Sequence, residues 1–550
     1  MVIVSNVAIT LYRAREVVTL DPSTADATGI AVHEGRIFSV GVFEELIDEL
    51  SDYSVTVDER FSEAVIVPGF IEAHGHLLHN GLFNHHLWLG FDDRQRSDGS
   101  LDPGCRTIED VLARLSEAAA QTPRGEHVFG AGFDPVFLGG RALTRQDLDS
   151  VSTEHFVSVM NASMHWGYAN SKLLEAQDIT ADTEVLGVEK DAKGEPTGAF
   201  AETALPLIFS AVSSMRQDPA TSVRTGAQLA KLAGVTTHSD MAVITKGKSF
   251  DTYRALGLSG ELPVRVVYSP HVHEMSKSFA PSELLAHVND LQRESTDRFA
   301  VGPLKWISDG SIQGFTAALA WPGYCSGHDD HGILLMDEDD IVHGLRPFHE
   351  AGLQAAIHAN GDAAIDAALR AIERLLTLSP RPDHRHRLEH CQMISSAQLR
   401  KAAALGVAIN FFSNHLYYWG DIHQASTMGP AKARRMDPAA SAEALGVTYS
   451  LHSDAPVTPV GPLFTMWCAV NRVTRSGVTL GDAEKLTPLE ALRAVTLGSA
   501  QLLHRDHELG SLEVGKAADF TVLGENPLNV EPHRIKDIAV LGTVLAGTPT

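Results

Sequence analysis

The sequence predicts an α/β protein: a (β/α)8 TIM barrel, a small β domain assembled from both chain ends, and a large insertion after the first barrel strand. Three observations predict it. The middle of the chain alternates short apolar, β-like runs with amphipathic helical ones, the pattern of parallel α/β architecture. Both ends instead read as successive short strands and turns, which suits one domain built from the two of them. The interval between the first apolar strand, ending at His76, and the next, beginning at Gly234, is far too long for a loop.

The totals agree with this plan. At 550 residues the chain suits two or three domains rather than one core. Hydrophobic residues make up 44% and charged ones 21%, an ordinary soluble composition. The net charge of -25 argues against nucleic acid and anionic membrane surfaces, and no basic cluster reverses it locally. Cys105, Cys325, Cys391 and Cys468 are scattered without a Cys-x-x-Cys, which argues against a zinc ribbon or a disulfide framework. The opening Met1-Val-Ile-Val-Ser-Asn6 lacks the pattern of a signal peptide, and no apolar run nears the ~20 residues that span a bilayer. The expected location is the cytoplasm, and the expected partner is a small-molecule substrate.

Taken in order, residues 1–64 predict strands at Val7–Tyr12, Val17–Leu20, Gly29–His33 and Arg36–Val42, with helical spacing over Phe43–Leu50. They join residues 505–550, where a turn at Gly510–Gly515 leads into a strand ending at Leu523 and another lies within Asp537–Leu545. The barrel spans 65–504. Its first strand is the apolar run from Val65 to His76. The others are Gly234–Met241, Pro263–Ser269, Gly302–Ser308, Gly352–His358, His386–His390, Val407–Ser413 and Val447–Asp454, with helices such as Ala363–Leu376 and Ser396–Ala404 between them. Residues 85–230 read largely as an inserted subdomain over the barrel mouth, with signals at His127–Phe133, Phe156–Asn161 and Pro219–Leu232.

Barrel active sites lie at the C-terminal strand ends, so the chemistry is expected there. His74 and His76 close the first strand, and side chains two apart on a strand point the same way. The spacing recurs at His271/His273 and His384/His386 in a chain of 27 histidines, so position is what singles out the first pair. Strand four carries Lys305 within an apolar run, where an ammonium is costly. Carboxylation by CO2 is one escape; pairing with Asp309 or snorkelling to the rim are others. Strands five and six end near His358 and His390, either of which alone reads as a satisfied core histidine. Cys391 should point away from the site if its strand is regular. Strand eight ends at Asp454, a candidate ligand and proton shuttle or else a turn cap, with His452 two residues earlier on the same face.

Pro68-Gly-Phe-Ile-Glu-Ala-His-Gly-His76 resembles the first-strand signature of the amidohydrolase superfamily of metal-dependent hydrolases, with Glu72 where aspartate is usual. Leu512–Leu523 resembles its C-terminal signature. Leu143–Asp149, His165-Trp-Gly-Tyr-Ala-Asn170-Ser and Gly194-Glu-Pro-Thr-Gly198 resemble the branch of YtcJ-like hydrolases and N-substituted formamide deformylases, so the resemblance covers nearly the whole chain. It implies that the β domain is a sandwich, and that the protein can be a homodimer. It also implies a binuclear metal centre, with the ligand order His74, His76, Lys305 (as an N6-carboxylated bridge), His358, His390 and Asp454. Nitrogen and oxygen donors without thiolate suit two Zn2+, with iron or manganese as alternatives.

The implied reaction is hydrolysis of a C–N bond, in an N-formyl or N-acyl amine, by a metal-bound hydroxide with Asp454 as general base and then acid. His165 and His238 are candidates to stabilise the oxyanion. Aromatic residues after the strands, namely Trp88, Trp166, Phe315, Trp321, Tyr417 and Trp419, together with Asp309 and His452, are candidate substrate contacts; the aromatic ones read equally well as packing of insertion on barrel. Deamination of an amino-heterocycle is the alternative on the same barrel, and ester or lactone hydrolysis stays open. A non-catalytic relative would be expected to have lost ligands, and all six positions are filled.

Overall fold

A computed structural model describes residues 5–24, 26–209, 218–325 and 330–550. Residues 1–4, within the stretch read for a signal peptide, and 210–217, within the expected insertion, lie outside the described residues.

The two chain ends share one seven-stranded sheet. Across it the order is Thr548–Pro549, Val540–Leu545, Phe520–Leu523, Tyr53–Pro68, Ser5–Val17, Ala27–His33 and Arg36–Gly41. The strands expected at Val7–Tyr12 and Val17–Leu20 are one strand that stops at Val17; Leu20 beyond it has a φ of 56°. Where a sandwich implied two facing sheets, this is a single sheet. One face buries Tyr12, Ile30, Ile66, Phe520 and Val522. On the other, Phe43 and Leu46 of the helix Phe43–Glu49 cover Ile9, Leu11 and Ala31, so a helix does what a second sheet would do.

The apolar run at Val65–His76 serves two sheets, not one. Val65–Pro68 pairs antiparallel with Phe520–Leu523 and closes the terminal sheet, which therefore runs past residue 64. Phe70–Gly75 begins the parallel part. Pro68 has no N–H to carry the ladder on. Gly69 then crosses so near Thr236 that a Cβ there would lie 2.1 Å from its Oγ1.

The parallel strands form a four-stranded sheet, in the order Phe299–Val301, Arg265–Pro270, Val235–Val243, Phe70–Gly75, and a five-stranded one, in the order Leu304–Ile307, Ala355–Ala359, Arg387–His390, Ala408–Phe411, Tyr449–Leu451. Strand four is thus broken at Gly302-Pro303, with its first piece on one sheet and its second on the other. Pro303 again withholds the donor that an unbroken strand needs. A parallel bridge between His271 and Lys305 joins one pair of sheet edges. The Asp454 N–H, donating to the His74 carbonyl at 3.2 Å, joins the other. Helices lie between the strands. In Asp362–Leu378, the fully buried Ile365, Leu369 and Ile372 share one face and pack into the same core as Ile357 and Leu388.

The insertion has its own six-stranded sheet, including His127–Phe133 and Phe156–Asn161, and its own core of residues such as Leu115, Val128 and Val157. The helix Pro219–Leu232 does not belong to it. Its Val223, Ala227 and Ala230 pack with Leu77, Val235 and Val266 of the parallel part.

The repeated His-x-His pairs have structural work. His271 caps the short helix Val272–Ser276. His386 accepts the Ala355 N–H at Nδ1, so its proton sits on Nε2 and is donated to His349 Nδ1 at 2.8 Å; His349 in turn donates to the Ser379 carbonyl at 2.7 Å. Burial pushes both rings below 6.5, His386 well below. Unfolding frees them to protonate under pH 6.5, so their contribution to stability is full above that pH and is lost as pH falls. The urea midpoint is expected to fall as pH drops through 6.5, and His349→Gln to show a shallower fall; an equal slope would contradict this.

Candidate metal centre

At the C-terminal ends of the parallel strands, five side chains meet around Asp454. His74 and His76 follow from the strand Phe70–Gly75, and their Nε2 atoms lie 3.4 and 3.3 Å from Asp454 Oδ1. Lys305 Nζ is 3.5 Å from His74 Nε2. His358 Nδ1 is 3.0 Å from His390 Nε2, and His390 Nδ1 is 3.8 Å from Asp454 Oδ2. Strand alternation would turn His390 away, because Glu389 before it faces inward. A φ of 70° at His390 and 49° at Cys391 brings the histidine in and leaves Cys391 in the apolar core. Asp454, with a φ of 55°, is likewise aimed by left-handed backbone.

Each histidine's tautomer follows from its outer partner. His74 Nδ1 donates to Glu389 Oε2 at 2.6 Å, and His76 Nδ1 to the Met241 carbonyl at 3.0 Å, leaving both Nε2 lone pairs facing inward. His358 Nε2 donates to the Gly310 carbonyl at 3.1 Å, leaving Nδ1. Burial, reinforced by Lys305 and neighbouring rings, pushes His74, His358 and His390 well below 6.5, so they stay neutral and able to ligate. Lys305 is brought down by burial to about 8, against the upward pull of Glu389 and Asp454. It does not pair with Asp309, whose oxygens accept the Asn360, Gly361 and Ala318 N–H groups.

Among the described residues, several buried polar atoms here have no hydrogen-bond partner: His390 Nδ1, Asp454 Oδ1 and both nitrogens of His452. Orphaned lone pairs converging in a buried site are costly unless a cation meets them. Nitrogen and carboxylate donors without thiolate therefore fit a divalent metal, and His74, His76 and Asp454 offer donor atoms all within 4.8 Å of one another.

The sequence reading missed what holds these groups. Glu389 also accepts from Asn410 Nδ2 at 2.8 Å and pairs with Arg387 at 2.6 Å. Glu72 accepts both the Ser453 N–H and hydroxyl, at 3.1 and 2.7 Å, which ties the first strand to the turn bearing Asp454; burial raises its carboxyl to about 7. Glu389→Gln is expected to weaken metal binding about 10–100-fold in the folded protein, and also to lower the thermal midpoint, because it leaves the buried Arg387 without its carboxylate. Unaltered affinity in a metal titration would remove Glu389 from this role.

His165 reaches the centre from the insertion. Its ring lies 5.5 Å from that of His358, and its Nδ1 is 2.9 Å from Glu202 Oε2. Burial alone would lower it, but Glu202, helped by Asp454 and Asp309, holds it above its ordinary value.

A model of the amidohydrolase family matches residues 62–550. The chain belongs to the amidohydrolase family. It is 28% identical to N-substituted formamide deformylase of Arthrobacter pascens over 96% of each chain. It is 26% identical to the amidohydrolase YtcJ of Bacillus subtilis over 94% of each. Its fold is shared with an uncharacterised metal-dependent hydrolase from Pyrococcus horikoshii OT3, at a TM-score of 0.73 and 22% identity, covering 95% of this chain and 99% of that one. It is therefore an α/β hydrolase of a metal-dependent family.

In this amidohydrolase the other candidate residues separate. Trp88 and Trp419 line a cavity of about 100 Å3 between insertion and strand ends, beside Phe91, Tyr418 and Val457, the last close to Asp454. Trp419 Nε1 donates to Asp134 at 2.8 Å. Trp166 sits at the junction, donating to the Gly314 carbonyl at 3.1 Å. Phe315 packs on Tyr324 instead, and Tyr417 on Phe464 and Trp467. Trp321 is 86% exposed. Asp309 has its oxygens taken by three N–H groups, so it ties the turn after His358 to the loop after strand four rather than offering itself to a ligand. His238 is buried behind the first strand; a Cβ on Gly75 would lie 2.9 Å from its Nε2, and burial lowers it to about 3. Among the described residues no helix is long and apolar enough to cross a membrane.

Proposed function

We propose that the protein hydrolyses the C–N bond of an N-formyl or N-acyl amine. The observation that carries this reading is the set of imidazole lone pairs turned inward around Asp454, with His165, held above its ordinary pKa by Glu202, facing them from the insertion. The parallel strands are read as one closed (β/α)8 barrel, a reading supported by the two contacts that link the sheet edges. In its mouth His74, His76, His358, His390, Asp454 and an N6-carboxylated Lys305 would hold two Zn2+. Such a cation, when bound, lowers the pKa of water from 15.7 to about 7 and polarises a carbonyl.

The chain's own residues supply the rest. Asp454 takes the proton released as water adds to the carbonyl carbon, then returns it to the leaving nitrogen as the C–N bond breaks. His165, whose affinity for a proton Glu202 raises, donates to the carbonyl oxygen as negative charge builds on it. His238, neutral and behind Gly75, does not take that role. The cavity lined by Trp88 and Trp419 receives an apolar substituent of the substrate. The relative named N-substituted formamide deformylase supports the formyl side of this reading. Against a deaminase, the carboxylate beside the strand-six histidine, Glu389, is already taken by His74, Arg387 and Asn410.

The test is removal and return of metal. Chelator-dialysed protein is expected to lose hydrolysis of N-formyl and N-acyl amines and to regain it on addition of Zn2+. Hydrolysis that persists in metal-free protein would contradict the proposal.

A further inference from the structure

His452 lies next to the centre, yet neither the ligand order along the strands nor the mechanism above uses it. Its side chain is buried, at 1% exposure. Neither ring nitrogen has a hydrogen-bond partner among the described residues. A neutral imidazole always carries one N–H, so a buried ring with both nitrogens unmatched forfeits at least one hydrogen bond that water would supply. A histidine kept for packing alone would be replaced by an apolar ring at no such loss.

Its orientation is fixed. The ring stacks on His74, with centroids 4.8 Å apart and planes at 23°, and on Phe412, at 4.9 Å and 21°. It meets His390 edge-on at 5.0 Å. This places donor nitrogens of His74, His390 and His452 all within 4.8 Å of one another, a second converging set that shares His74 with the His74, His76 and Asp454 set. Three imidazoles are a donor set that holds zinc with a coordination position left open.

We propose that His452 is a further metal ligand, holding one divalent cation together with His74 and His390. This rests on the metal reading above and deepens it: His74 Nδ1 is given to Glu389, so its Nε2 serves one cation only, and His452 joins the cation position that His74 holds.

The experiment uses full-length protein stripped of metal and titrated with Zn2+ and, separately, Co2+. Bound metal per chain is measured by elemental analysis, and Co2+ geometry by its visible absorption bands. His452→Gln is expected to bind one equivalent fewer, or one equivalent more than tenfold more weakly, with altered Co2+ bands. Wild-type stoichiometry, affinity and bands in His452→Gln would overturn the assignment while leaving the functional proposal intact. A wild-type protein that binds no Zn2+ would overturn both. Should the variant fail to fold, anomalous diffraction from Zn2+-loaded wild-type crystals decides: a peak about 2.0–2.1 Å from a His452 nitrogen supports the assignment, and peaks that leave His452 unligated overturn it.

Discussion

Asp454→Asn is expected to reduce kcat by about 100-fold to about 10,000-fold, the range spanned by loss of a positioned general acid–base group. Asparagine keeps the size of the side chain and an oxygen acceptor, but it cannot take up and return a proton. The cost should therefore persist when variant and wild type are compared at equal metal content. That control matters because Asp454 Oδ1 also lies 3.4 and 3.3 Å from the His74 and His76 nitrogens, so the substitution can loosen metal as well. Steady-state kinetics on an N-formyl amine, with metal measured in the same samples, separates the two effects. Near-wild-type kcat at full metal content would show that another group moves the proton.

Lys305→Ala is expected to lose most bound metal and to lower activity at least about 100-fold, with partial recovery on adding formate, acetate or propionate. The physical ground is burial. Lys305 is 2% exposed and its ammonium is brought down to about 8, so roughly a tenth is free amine at pH 7, far more than an exposed lysine offers, and this is the form that adds CO2 and releases a proton to give a carbamate. A small carboxylate can occupy the space left by the shortened side chain and present the same two oxygens. Lys305→Arg should not be rescued, because guanidinium stays charged and fills the space. Full activity in Lys305→Ala would remove the bridging role.

Much of the candidate site was legible along the chain because its groups sit at the ends of parallel strands. His74/His76, His358, His390 and Asp454 each close a short apolar run, and alternation tells which way a strand side chain points. Alternation failed at His390, where left-handed backbone overrides it, and no local pattern announces a positive φ on a histidine. The supports were not legible for a different reason. Glu389 meets His74 across 315 positions of sequence, and Glu72 meets Ser453 across 381, so neither pair has a spacing to read. The same limit explains the aromatic residues. Trp321, Phe315 and Trp419 look alike in sequence, yet one is exposed, one packs on Tyr324 and one lines the cavity, because loop conformation sets their fate. In the fold, Val65–His76 and Gly302–Ser308 each read as one strand; that the chain passes from one sheet to another at Pro68 and at Pro303 follows only from pairing partners such as Phe520–Leu523.

Product mass analysis tests the central claim most directly. Zn2+-loaded protein is incubated with a mixed panel of N-formyl amines, longer N-acyl amines, esters and amino-heterocycles, in water enriched in oxygen-18. The account predicts that an amide substrate is split into free amine and a carboxylic acid that carries the label. An amino-heterocycle returned with its ring intact and its amino group replaced by labelled oxygen, with every amide left whole, would contradict it.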